Sequence, residues 1–101
     1  MRITIQYFEG CPHWNLADTR VKNALRDSDR KDFEVDYQLI DSPEAAERAR
    51  FRGSPTILID GRDPFATGDE AFGLSCRIYD TSEGSQGAPT EAELRGLFTA
   101  A

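Results

Sequence analysis

Apolar residues fall along this chain in short runs whose spacing assigns most of the elements. Ile3, Ile5, Tyr7 and Phe8 form a β-rich opening run, which predicts a buried strand at about residues 2–8. Glu9-Gly10-Cys11-Pro12 stops it sharply. Leu16, Val21 and Leu25 follow near helical spacing and predict a helix over about 12–27, with Pro12 at the first position, where no N–H is needed. Phe33, Val35, Tyr37 and Leu39 then alternate with polar residues as a second strand. Ser42-Pro43-Glu44 supplies an N-cap, a first-turn proline and an acidic residue facing the dipole, starting a short helix to about Phe51.

Arg52-Gly53-Ser54 breaks that helix, and Pro55-Thr56-Ile57-Leu58-Ile59 reads as a buried strand closed by an Asp60-Gly61 turn. Residues 62–73 have no usable period and read as a loop. Leu74–Tyr79 reads as a further strand and Ser82–Gly87 as a flexible turn. Thr90-Glu91-Ala92-Glu93 is a capping box leading into a last helix with Leu94, Leu97 and Phe98 on one face. The order β-α-β-α-β-β-α implies a central mixed four-stranded sheet flanked by three helices, because parallel strands need helical crossovers.

Composition narrows the class. A length of 101 residues suits one domain spanning 1–101, and 39% hydrophobic with 30% charged residues is ordinary for a globular chain. A net charge of −6 disfavours nucleic acid and anionic membrane surfaces as partners. No apolar run approaches the ~20 residues of a membrane span, and MRITIQYFEG lacks a signal-peptide core, so the expected compartment is the cytoplasm. Two cysteines, Cys11 and Cys76, are too few for a disulfide scaffold and read as individual thiols.

Gly10-Cys11-Pro12-His13 after the first strand, and Ser54-Pro55-Thr56 opening a buried one, resemble the thioredoxin and glutaredoxin superfamily over nearly the whole chain. That resemblance implies a thioredoxin-like fold in which the proline before the third strand is cis and lies beside the reactive sulfur, here Pro55 and Cys11. From the residues alone the isomer of Ser54-Pro55 is open, with trans the ordinary expectation for an X-Pro bond. Cys11-Pro12-His13 is similar to the Cys-Pro-His-Cys of disulfide-forming enzymes, but Trp14 stands where the second cysteine would be. The expected activity is thiol–disulfide exchange through Cys11, either as a monothiol or paired with Cys76, on protein or small-molecule thiols and disulfides.

A sulfur at a helix start faces unpaired N–H groups and the positive dipole end, which favour the thiolate, the nucleophilic form. His13, when protonated, would add to that effect, and Trp14 offers an aromatic contact beside the sulfur or simple packing. Ser54 and Pro55 would present a backbone edge to an extended peptide or thiol. Cys76 reads either as a small buried hydrophobe or as the partner of Cys11 in a disulfide that closes a long loop, worth up to ~4 kcal/mol. Gly68-Asp69-Glu70 faintly resembles the Gly-Asp region with which glutaredoxins hold glutathione, which makes glutathione a candidate co-substrate. No resident cofactor or metal is expected, and oligomeric state cannot be read from the chain. Two other readings stand beside exchange. One is a noncatalytic binding module on the same fold. The other is capture of a soft metal or organomercurial by Cys11 and Cys76 with Asp63 as proton donor, since Gly53–Phe65 and Ser75–Tyr79 resemble small bacterial thioredoxin-like proteins, some of which carry an organomercurial-lyase name.

Overall fold

The computed structural model describes residues 1–100. Strand β1 (Arg2–Tyr7) lies at the centre of a three-stranded mixed sheet of order β2-β1-β3. It runs parallel to β2 (Glu34–Leu39) and antiparallel to β3 (Thr56–Ile59). Parallel pairing of β1 and β2 demands a crossover, supplied by helix α1 (Trp14–Ser28). Ile3 is in register with Val35 and Ile59, and Ile5 with Tyr37 and Ile57. One sheet face therefore gathers the branched residues that prefer strands.

Helix α1 lays Ala17, Val21, Ala24 and Leu25 onto that face, and helix α3 (Glu91–Ala100) adds Leu94 and Phe98. The buried stripe runs through Ala17, while Leu16 stays 38% exposed. A second small cluster joins Ile40, Ala46 and Phe51 with Phe8 beside helix α2 (Pro43–Ala49). Arg20 ties α1 to the chain before α3, donating to the carbonyls of Ala88 and Pro89 and to Gln86 Oε1.

The local signals act as their chemistry requires. Ser42 Oγ accepts from the Ala45 N–H at 3.0 Å, with Pro43 as first helical residue. Thr90 and Glu93 close the reciprocal box: Glu93 N–H donates to Thr90 Oγ1 at 3.1 Å, and Thr90 N–H to Glu93 Oε1 at 2.9 Å. Asp60 and Gly61 have φ of 51° and 84°, the handedness a two-residue hairpin turn needs, and Ile59 and Arg62 exchange main-chain hydrogen bonds across them.

Four expectations change. Helix α1 starts at Trp14, not at Pro12, with His13 as its cap residue, so Pro12 belongs to the preceding turn. Helix α2 ends at Ala49, with Arg50 left-handed at φ 53°; the Phe51 N–H closes on the Ala46 carbonyl at 2.8 Å and delivers a fully buried ring. The sheet has three strands and not four: 74–79 contributes only an isolated bridge between Cys76 and Ser54. Tyr79–Thr81 (β4) instead pairs with Gly84–Gln86 (β5) in a separate hairpin, so half of the expected flexible turn is strand. The turn is locked by the Thr81 hydroxyl, which donates to the Gly84 carbonyl and accepts from the Glu83 N–H. Among the described residues no helix is long and apolar enough to cross a membrane.

The core assignment gives a stability contrast. Phe98→Ala, which empties a fully buried site, is expected to cost about 3–5 kcal/mol in urea unfolding. Ile78→Ala, at a residue 63% exposed, is expected to change stability by no more than about 0.5 kcal/mol.

Candidate functional site

The site forms where the chain leaving β1 meets the chain entering β3. Beyond Tyr7 the backbone turns through Glu9 and Gly10, and the Cys11 N–H donates to the Phe8 carbonyl at 3.1 Å. A Cβ on Gly10 would stand 2.9 Å from the Phe8 ring, so only glycine lets that ring cover the turn. Cys11 thus sits in a tight loop three positions before the first residue of α1, instead of at the helix start itself, and is 2% exposed.

Facing it is the turn into β3. The Ser54-Pro55 peptide bond is cis, as the resemblance implied for Pro55. Cys11 Sγ donates to the Ser54 carbonyl at 3.3 Å. Ser54 is fully buried; its hydroxyl accepts from the Phe8 N–H at 3.3 Å and pins this turn to the end of β1. Cys11 therefore lies against the residue that precedes the cis Pro55.

Cys76 is brought to the same place by pairing, not by a strand of the main sheet. Ser54 N–H donates to the Ser75 carbonyl at 2.8 Å, and Arg77 N–H donates to the Ser54 carbonyl at 2.9 Å, which sets Cys76 across from Ser54. Cys76 is exposed, contrary to its reading as a buried hydrophobe. Its thiol is pushed above its ordinary value of 9.0, first by loss of solvation and then by a hydrogen bond that it donates to Cys11 and by the charge of Cys11.

His13 and Trp14 take packing positions at the other end of the loop. Gly87 lies so close to His13 that a Cβ there would stand 2.5 Å from His13 Cγ and 2.9 Å from His13 Cβ. The Trp14 indole stacks on Tyr7, with ring centroids 4.4 Å apart. The two residues fix how the Cys11 loop enters α1.

The residues sequence reasoning missed lie in the 62–79 stretch. The Arg77 side chain, 5% exposed, donates to Asp63 Oδ2 at 2.6 Å and to Asp63 Oδ1 at 3.4 Å, and Asp63 is itself 2% exposed. Arg52 and Glu70 complete the cluster at 3.7–3.8 Å. Arg77 also lies over the Tyr79 ring at 4.5 Å, and the Tyr79 hydroxyl donates to the Pro55 carbonyl at 2.6 Å. Burial drives the Tyr79 phenol up, which keeps it a donor. Asp63, considered above as a proton donor, has both oxygens engaged by Arg77 and serves as an anchor. No periodicity marks these residues; the only signal was a set of charges in a stretch otherwise rich in turn formers.

Gly68-Asp69-Glu70 closes on itself. The N–H groups of Thr67 and Gly68 and the Thr67 hydroxyl all donate to the Glu70 carboxylate. Those N–H groups are the donors that a ligand carboxylate would need, and an internal carboxylate holds them. Among the described residues, no group of three or more His, Cys, Asp or Glu side chains is placed to hold a metal ion. No protein-family model matches the chain, and no curated protein or solved structure matches it either.

Two predictions follow from these contacts. Gly87→Ala is expected to cost about 1–3 kcal/mol by forcing His13 away, and the double variant with His13→Ala should recover most of that loss in thermal unfolding. Glu70 has its carboxyl pulled from 4.5 to about 2, chiefly by the Thr67 main-chain N–H. A carboxyl with a depressed folded pKa contributes stability above its unfolded pKa, and that contribution is lost as pH falls toward the folded value. Glu70→Gln should therefore flatten the loss of stability between pH 4.5 and about 2, as read from urea midpoints across that window.

Proposed function

We propose that this chain is a thioredoxin-like thiol–disulfide exchange protein that works through Cys11 paired with Cys76. The observation that carries this reading is the placement of Cys76 across from Ser54, the residue whose carbonyl accepts from Cys11 Sγ, with the Cys76 thiol under the influence of Cys11. Further support comes from the β2-β1-β3 sheet with β1 and β2 parallel, and from the cis proline leading into β3. Cys76 supplies the second sulfur that Trp14 replaces in the local motif.

Exposure sets the order of events. Cys76, the exposed sulfur, attacks as thiolate one sulfur of an incoming disulfide; that S–S bond breaks and the leaving thiolate takes a proton from solvent. Cys11, 2% exposed, then gives up its proton to solvent and attacks as thiolate the Cys76 sulfur of the mixed disulfide. The Cys11–Cys76 bond forms, the second thiolate leaves and is protonated, and two electrons have passed from the protein thiols to the disulfide. An external thiol such as glutathione runs the sequence backwards and restores the dithiol. Ser54 and Pro55 form the wall against which the sulfurs meet. His13 and Trp14 hold the Cys11 loop in place for the second step.

Reduced protein treated with oxidised glutathione is expected to lose both alkylatable thiols and two hydrogens of mass. Cys11→Ser should stop at a glutathione adduct on Cys76. If the unsubstituted protein accumulates only an adduct, or does not react at all, the paired reading is wrong. The upward push on Cys76 also predicts a rate that climbs about tenfold per pH unit through neutrality. It should level off only above pH 9.0. In Cys11→Ser one source of that push is gone, so the adduct-forming profile should move to lower pH.

A further inference from the structure

A main-chain edge beside a reactive sulfur is a docking place for an extended polypeptide, because strand addition supplies paired N–H and C=O groups. In this chain the edge at Ser54 is already filled. Its N–H is taken by the Ser75 carbonyl at 2.8 Å and its carbonyl by the Arg77 N–H at 2.9 Å. The neighbouring carbonyls are engaged as well: that of Gly53 accepts from the Thr56 hydroxyl and that of Pro55 from the Tyr79 hydroxyl, each at 2.6 Å. A polypeptide seeking this edge therefore finds both main-chain groups of Ser54 and the carbonyls of Gly53 and Pro55 already paired.

The segment 75–77 lies along the edge as an added strand would, and its middle residue is a cysteine set across from Ser54 beside Cys11. It is closely fitted. A Cβ on Gly53, whose φ is 109°, would stand 3.1 Å from Arg77 Cβ and 3.2 Å from the Ser75 carbonyl oxygen. It is also anchored, since lifting it would draw the Arg77 guanidinium from Asp63 and Glu70 and leave the Asp63 side chain, 2% exposed, with only Arg52 at 3.7 Å as counter-charge.

We propose that residues 75–77 occupy the position of a bound polypeptide substrate, so that the two-cysteine site exchanges with low-molecular-mass disulfides and excludes extended polypeptide ones. This inference rests on the exchange reading above and narrows its substrate class. A small disulfide needs no main-chain pairing; it needs only a path to the exposed Cys76 sulfur along the S–S axis. It leaves as two thiols while the Cys11–Cys76 bond forms, so atoms and electrons balance with the disulfide as sole oxidant.

The test uses the reduced full-length protein with two oxidants, bis(2-hydroxyethyl) disulfide and the interchain disulfides of insulin. Formation of the Cys11–Cys76 bond is followed by loss of both alkylatable thiols. Each rate is divided by that of dithiothreitol with the same oxidant, which removes intrinsic differences between the disulfides. The normalised rate with the small disulfide should exceed that with insulin by about tenfold or more, since the polypeptide is denied two main-chain hydrogen bonds. A normalised insulin rate equal to or above that of the small disulfide overturns the substrate class and leaves exchange standing. Failure of both oxidants to form the bond overturns exchange and this inference together. Amide hydrogen exchange reads the strap independently: the Arg77 N–H should be protected in both redox states, and free exchange at that position refutes the occupied edge.

Discussion

Peptide groups withdrawn from water must find partners within the chain, and at Ser54 this requirement couples three stretches far apart in sequence. The residue is fully buried, and a cis bond to Pro55 follows it. Its hydroxyl is satisfied by Phe8 at the end of β1, its N–H by Ser75, and its carbonyl by Arg77 and by Cys11 Sγ. The end of β1, the beginning of β3 and the 75–77 segment therefore share one set of hydrogen bonds. Loss of the bond to the Ser54 N–H or to its hydroxyl would strand a buried polar group at a cost well above the net worth of an exposed hydrogen bond. Through that pairing Cys11 and Cys76 both meet the same residue, Ser54.

The charges of the molecule divide into two kinds with different consequences. Most ion pairs are exposed, such as Arg2 with Glu34 and Lys31 with Asp29, and pairs of this sort contribute little. Arg77 and Asp63 are 5% and 2% exposed, so each has surrendered its hydration and depends on the other. Glu70 and Arg52 extend the cluster toward solvent, where the Glu70 carboxylate is also bound by the loop it terminates. Among the described residues this acidic chain thus keeps one buried cation, at the point where a long irregular stretch must be held against the sheet.

What was legible in the sequence follows the range of the interactions involved. The Ser42-Pro43 start, the Thr90–Glu93 box and the Asp60-Gly61 turn are set by residues within three or four positions of one another, and each forms as its local chemistry requires. Strands β1 and β3 were legible from their branched residues, and Ser54-Pro55 was legible as the entry to β3. The stretch 62–87 was not, because its order comes from pairs such as Asp63 with Arg77, Ser54 with Cys76 and Pro55 with Tyr79, which leave no period to read. The stripe of α1 was misplaced by one residue at Leu16, since the sheet takes the small Ala17 and Ala24 where close approach of helix and strand is needed. The fourth strand failed for a related reason: 74–79 meets β3 only at the turn before it, and Tyr79 onward is drawn into the β4–β5 hairpin.

A buried arginine is an uneconomical way to gain stability, because apolar residues of similar volume often serve as well as a buried ion pair. What an apolar side chain at position 77 would not supply is register. One bridge with two hydrogen bonds specifies the alignment of 75–77 against Ser54 weakly, and a slip by one residue would turn the Cys76 side chain to the other side of the strand. The guanidinium fork on Asp63, stacked on a Tyr79 ring whose hydroxyl holds the Pro55 carbonyl, admits a single alignment. The ion pair thus fixes which residue stands across from Ser54, and that residue is Cys76.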